Sequence, residues 1–122
     1  MLAIVSWSVY NDEMTDEVRE PTFLVLAALA DQRRHGYGII QEVGRISKGE
    51  MTLRAGTLYA MLDRLTEDGL IEVDSEEVVE GRLRRYYQLT ARGSTLLSEE
   101  SRRRVATSRE AMRRLRLAGG LA

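Results

Sequence analysis

Arg82, Arg84 and Arg85 lie within four residues of one another, directly after Gly81, and Arg54, Gly56, Thr57, Tyr59 and Ala60 open a stretch with apolar residues at helical spacing. Clustered guanidinium groups pair with phosphate oxygens and release condensed cations. Small and hydroxyl-bearing side chains on the first turns of a helix allow close approach to a second surface. Catalysis has much less to draw on. His35 is the single histidine, set beside Gly36, and there is no cysteine. Asp63 and Glu67 stand one helical turn apart on an exposed face, where solvated charge is the ordinary outcome. Neither a glycine-rich phosphate loop nor a spaced set of metal ligands is present. These residues predict a binding protein with no cofactor, and not an enzyme.

The elements that must position these groups follow from periodicity. Pro21 suits a first helical turn, and residues 22–30 are almost wholly apolar, so this helix should be buried on most sides. A polar break over residues 31–35 precedes a second helix, with Ile39, Ile40, Val43 and Ile46 on one side, ending near Gly49. Thr52 is the expected N-cap of a third helix over residues 53–68, closed by Gly69. Leu58, Met61, Leu62 and Leu65 form its inward stripe. Gly56, Ala60, Asp63 and Glu67 point the other way, with Thr57 and Tyr59 on the flanks. Residues 70–79 and 83–89 read as two strands of a β-hairpin turning at Glu80 and Gly81. Thr90 caps a long last helix reaching about residue 117, before a short tail.

With 122 residues, 43% hydrophobic and 30% charged, the chain is sized and composed for one soluble globular domain. The absence of cysteine fits a reducing cytoplasm. The apolar residues 1–10 are too few to span a bilayer and lack a basic start, so a leader or an arm packing Trp7 on a partner is expected. Net charge is only -1, yet it is unevenly distributed: residues 1–81 carry 7 basic and 16 acidic side chains, residues 82–122 carry 11 and 3. That asymmetry implies a local basic footprint near the C-terminal third.

Two helices joined by a short connection, the second opening with Arg54 to Tyr59, match a helix-turn-helix whose second member enters the DNA major groove. The segments HGYGI (residues 35–39), GTLYAMLDRLTEDGLI (56–71) and GRLRRYYQLTARG (81–93) occur in the order found in PadR-type regulators, and the chain resembles that family over roughly residues 20–100. The resemblance implies a mainly α fold with a small β-hairpin, a winged helix-turn-helix plus a long C-terminal dimerisation helix. It also implies repression, relieved in many members by a small-molecule effector. The short segment after the hairpin resembles the small subfamily with one C-terminal helix. Leu83 stands where proline is frequent in the wing. The last helix has no aromatic residue, so a flat drug pocket between subunits does not carry over.

On this reading residues 1–19 are a leader, 20–90 a DNA-binding domain, 91–117 a dimerisation helix and 118–122 a tail. The expected DNA contacts are Arg54, Gly56, Thr57, Tyr59, Ala60, Arg64, Arg82, Arg84 and Arg85. Tyr59 has an alternative in packing under the wing, and Arg64 in an ion pair with Glu67 or Asp68. Tyr37 is expected to be structural. Phe23, Leu24, Leu26 and Ala27 are expected to meet Val105, Met112 and Leu115 of a second subunit in a homodimer. The partner would be double-stranded DNA with two inverted half-sites about one helical turn apart. The alternative is a winged-helix protein-interaction module without specific DNA binding.

Overall fold

The computed structural model describes residues 19–120, so the expected arm and its Trp7 lie outside the described residues. Helix α1 spans Glu20–Ala28, with Pro21 in its first turn and extended Arg19 before it. Leu24, Val25, Leu26 and Ala28 are all buried, as is Leu29 just beyond. No single face of α1 is reserved for solvent. A two-residue strand, β1 (Arg34–His35), leads directly into α2 (Gly36–Ile46). The His35 side chain is the N-cap of α2: its Nδ1 accepts a hydrogen bond from the Gly38 amide at 3.2 Å.

Helix α3 spans Ala55–Glu67, two residues later than Thr52 capping would place it. Leu53 is the reason. Its side chain is buried among the core residues, and drawing it inward keeps the chain extended through Arg54, which becomes the N-cap without a side-chain cap bond. From Ala55 onward the expected stripe holds. Leu58, Leu62 and Leu65 are buried in one core with Ile39 and Val43 of α2, Val25 and Leu26 of α1, and Leu70 and Ile71 where β2 begins. Each of these side chains contributes on the order of 2 kcal/mol by leaving water.

Strands β2 (Ile71–Val79) and β3 (Arg82–Leu89) form the hairpin. Glu80 and Gly81 turn the chain with φ of 54° and 77°, the left-handed pair that a two-residue hairpin turn with the sheet's own twist requires. The sheet has the order β1-β3-β2, all antiparallel. β1 pairs Arg34 with Tyr87 and His35 with Tyr86, an edge strand absent from the sequence reading. The helix-turn-helix and hairpin expected from sequence are therefore present, packed as one body.

Helix α4 spans Ala91–Leu117 in 27 uninterrupted residues. Thr90 sets its start twice over: its Oγ1 accepts from the Gly93 amide at 3.0 Å and donates to the Gly69 carbonyl at 2.7 Å. Gly93 lies so close to the chain just ahead of β2 that a Cβ there would sit 2.0 Å from the Leu70 carbonyl oxygen. Leu96 and Leu97 pack on the core. Glu100 is the last buried residue of α4, and every residue from Val105 to Arg109 is exposed. No helix among the described residues is long and apolar enough to cross a membrane.

Candidate nucleic-acid interface

A groove of about 730 Å³ runs between α3 and the hairpin. Tyr59 and Asp63 of α3 form one wall and Arg82 to Arg85 with Tyr87 the other, while His35, Gly36 and Tyr37 close the end. The sequence reading assigned Tyr37 to structure. Instead its side chain is 63% exposed and borders the groove, because it points away from the stripe of Gly36, Ile39 and Val43 that α2 buries.

The opening of α3 is bare. Arg54, Gly56, Thr57 and Ala60 are exposed, and a Cβ built on Gly56 would meet nothing within 4 Å. Tyr59 combines the two roles left open by its position: its ring is half exposed in the groove, yet its hydroxyl presses on α2, 2.5 Å from where a Gly36 Cβ would stand. Arg64 lies one turn further on, 4.0 Å from the Asp68 carboxylate and largely exposed.

The wing arginines differ from one another. Arg85 donates from Nε to Glu76 Oε2 at 2.9 Å across the strand pair. Arg84 stands opposite Glu77, but the Glu77 carboxylate accepts from the Tyr86 hydroxyl at 2.9 Å. Arg82 stands opposite Val79. Among the described residues no carboxylate is within ion-pairing distance of Arg82 or Arg84. Over residues 71–89 the hairpin carries five carboxylates against three guanidinium groups, so its positive charge is confined to one strand. The arginines are evident from sequence, whereas the pairing of the acidic strand with them is not. Glu72, Asp74, Glu76, Glu77 and Glu80 were visible in sequence, but their register was not.

His35 is a further groove residue that sequence reasoning passed over as a turn. Its ring meets Tyr86 edge-on, with centroids 5.3 Å apart. Burial, and then the positive charge of Arg84, push the imidazole below its ordinary pKa, against an upward pull from Glu77. The neutral ring is the form that can accept from Gly38. Asp63, expected to be a solvated charge, is likewise a groove residue. No ion pair is made by it among the described residues, and it faces the arginines across the groove.

The expected dimer residues separate into two sets. Leu24 and Leu26 are 4% and 1% exposed within the subunit itself, so they belong to its own core and have no surface to offer. Phe23 and Ala27 are half-buried. On α4, Val105, Met112 and Leu115 are 48%, 44% and 46% exposed at seven- and three-residue spacing, forming one apolar stripe.

The sequence profile described as the transcriptional regulator PadR-like family matches residues 25–99. The transcriptional regulator Rv3488 of Mycobacterium tuberculosis is 38% identical over 88 residues, covering 72% of this chain and 78% of the relative. An uncharacterized protein of Lysinibacillus sphaericus is 33% identical over 76 residues, covering 62% of this chain and 70% of its own. A PadR-like transcriptional regulator from Bacillus cereus superposes with a TM-score of 0.65 at 22% identity, covering 84% of this chain and 96% of that one. Bacillus subtilis PadR, solved in complex with operator DNA, superposes with a TM-score of 0.60 at 21% identity, covering 66% of this chain and 46% of that one. These structures share the fold described above.

Proposed function

Since the chain belongs to the PadR-like family of transcriptional regulators, we propose that it is a sequence-specific DNA-binding repressor acting as a homodimer on two inverted half-sites. The observation that carries this reading is the groove in which the bare first turns of α3 converge with the unpaired Arg82 and Arg84. Arg54, Gly56, Thr57, Tyr59 and Ala60 approach the major groove, and Arg64 with the wing arginines holds phosphates. The operator complex of the Bacillus subtilis relative supports this assignment by shared fold. Residues 20–90 are the DNA-binding unit and 91–117 the dimerisation helix. The protein acts in the cytoplasm, and a small-molecule effector relieves repression by favouring the conformation with lower DNA affinity.

A second reading, a protein-interaction module, is favoured by the acidic β2 strand, which suits a basic protein partner. Selection of bound duplexes from a random library separates the two. The repressor reading expects an enriched inverted repeat, followed by salt-dependent titration whose slope falls by about 1 for each phosphate contact removed in Arg82→Ala and Arg84→Ala. Failure to enrich any duplex at low salt overturns it in favour of the module.

A further inference from the structure

Arg33 stands just ahead of β1 and reaches sideways across the whole sheet. Its guanidinium carbon lies 4.5 Å from the centre of the Tyr86 ring on β3. Beyond that ring, its Nη1 donates to Ser75 Oγ at 3.0 Å and its Nε stands 3.4 Å from the Asp74 carboxylate, both on β2. One side chain thus ties the chain entering β1 to the far strand over the middle one. The attachment falls where the β2–β3 register slips, between Val73 and Ser75. Asp74 is the extra residue of that bulge. Bulges raise local twist and re-aim the strand beyond them, and the strand beyond this one leads to the wing arginines.

The third strand gives the wing little support. β1 pairs only with Tyr86 and Tyr87, so from Ser75 and Tyr86 outward the hairpin is a two-stranded ribbon, an element with marginal stiffness of its own and variable twist. We propose that Arg33 is a positioning residue that fixes the angle of the wing against α3, through Asp74 and Ser75 at the bulge and Tyr86 beneath it. The proposal rests on the DNA-binding reading above. Arg33 is about half exposed and Asp74 about a third, so replacing either removes a tether without opening the core.

Asp74→Asn tests the clamp with the sharpest sign. Removing a carboxylate near a polyanion strengthens DNA binding by simple electrostatics, whereas losing the clamp weakens it. The expected result is operator affinity reduced by about tenfold, with circular dichroism and unfolding midpoint unchanged. Arg33→Ala should give a similar loss that shrinks below about twofold in an Arg82→Ala/Arg84→Ala background, because a mispositioned wing matters only while the wing binds. The reversed pair, Arg33→Asp with Asp74→Arg, should recover affinity relative to either single change. Tighter binding by Asp74→Asn, or an Arg33→Ala loss that adds in full to that of the wing arginines, overturns the clamp and makes Arg33 an ordinary phosphate contact. Absence of duplex binding by the unsubstituted protein instead overturns the reading on which the clamp depends.

Discussion

Arg104 stands over Phe23, its guanidinium carbon 4.0 Å from the ring centroid. The same group donates to Glu20 at 2.6 Å and to Glu100 at 2.8 Å, and Arg103 also pairs with Glu100. Phe23 is thereby covered by its own chain, and the carboxylate of Glu100, 7% exposed, is satisfied from two sides. A planar cation over an aromatic face contributes about 1 kcal/mol, and the two carboxylates fix its orientation. Beyond this contact, Val105, Met112 and Leu115 of α4 stay exposed.

In the proposed homodimer, Met112→Glu should separate the two subunits while leaving each folded. Met112 is 44% exposed and outside the core, so a charge there costs little in a monomer but much in an apolar seam. Sedimentation or light scattering over a concentration series reads the result. An unchanged dimer would remove the Val105, Met112 and Leu115 stripe from the interface. Truncation of α4 is a poorer test, because losing Arg104 also uncovers Phe23.

Gly93→Ala should destabilise the fold by about 3 kcal/mol, since its Cβ would fall 2.0 Å from the Leu70 carbonyl oxygen, a backbone atom that cannot turn aside. Ser98→Ala, on the exposed side of the same helix, should stay within about 0.5 kcal/mol of the starting protein. Urea unfolding compares them. Equal midpoints would mean that Leu70 and α4 can separate without cost.

The core and the order of elements were legible because they repeat locally: Leu58, Leu62 and Leu65 declare their face by spacing alone, as do the hairpin turn at Glu80–Gly81 and the cap at Thr90. What escaped was set by contacts distant in sequence. β1 exists only because Tyr86 and Tyr87, some fifty residues later, supply its partner. Leu53 leaves the helical pattern because the core takes it, which moves the start of α3 to Ala55. Leu24 and Leu26 belong to an apolar helix that reads alike whether enclosed by its own chain or by another. The groove was legible as two motifs, but the neutralisation of Arg85 by Glu76 required the strand register.

Gly56→Leu should abolish specific operator binding while retaining the fold, since nothing lies within 4 Å of its added Cβ. Glu67→Leu, near the other end of α3, should leave specific affinity within about twofold, surface changes away from an interface being nearly neutral. Titration against operator and scrambled duplex, after circular dichroism, makes the comparison. Full specific affinity in folded Gly56→Leu would show that this face does not enter the major groove.

His35 predicts an acid-side loss of stability. Its folded pKa is lowered, by burial first and Arg84 second, so the unfolded chain binds a proton before the folded one does. The contribution of the neutral cap is complete above the ordinary imidazole value of about 6.5 and is lost as pH falls through the window beneath it. His35→Asn, which caps at any pH, should flatten the unfolding midpoint between about pH 7 and 5, by an amount within the roughly 1 kcal/mol of an N-cap. The same pH dependence in both proteins would assign the loss to other groups.

The unbroken length of α4 gives the Arg104 contact a mechanical gain. The 27 residues of this helix make a rod of about 40 Å, and the part beyond Arg104 extends for roughly 20 Å past its contact with α1. A swing of roughly 10° about that fulcrum carries the far end about 3.5 Å, roughly a tenth of the approximately 34 Å between the proposed half-sites. A small repacking at Phe23 and Arg104 would thus be amplified by leverage at Leu117, and a subunit pair joined along α4 would feel it as a change in the reach between its two heads.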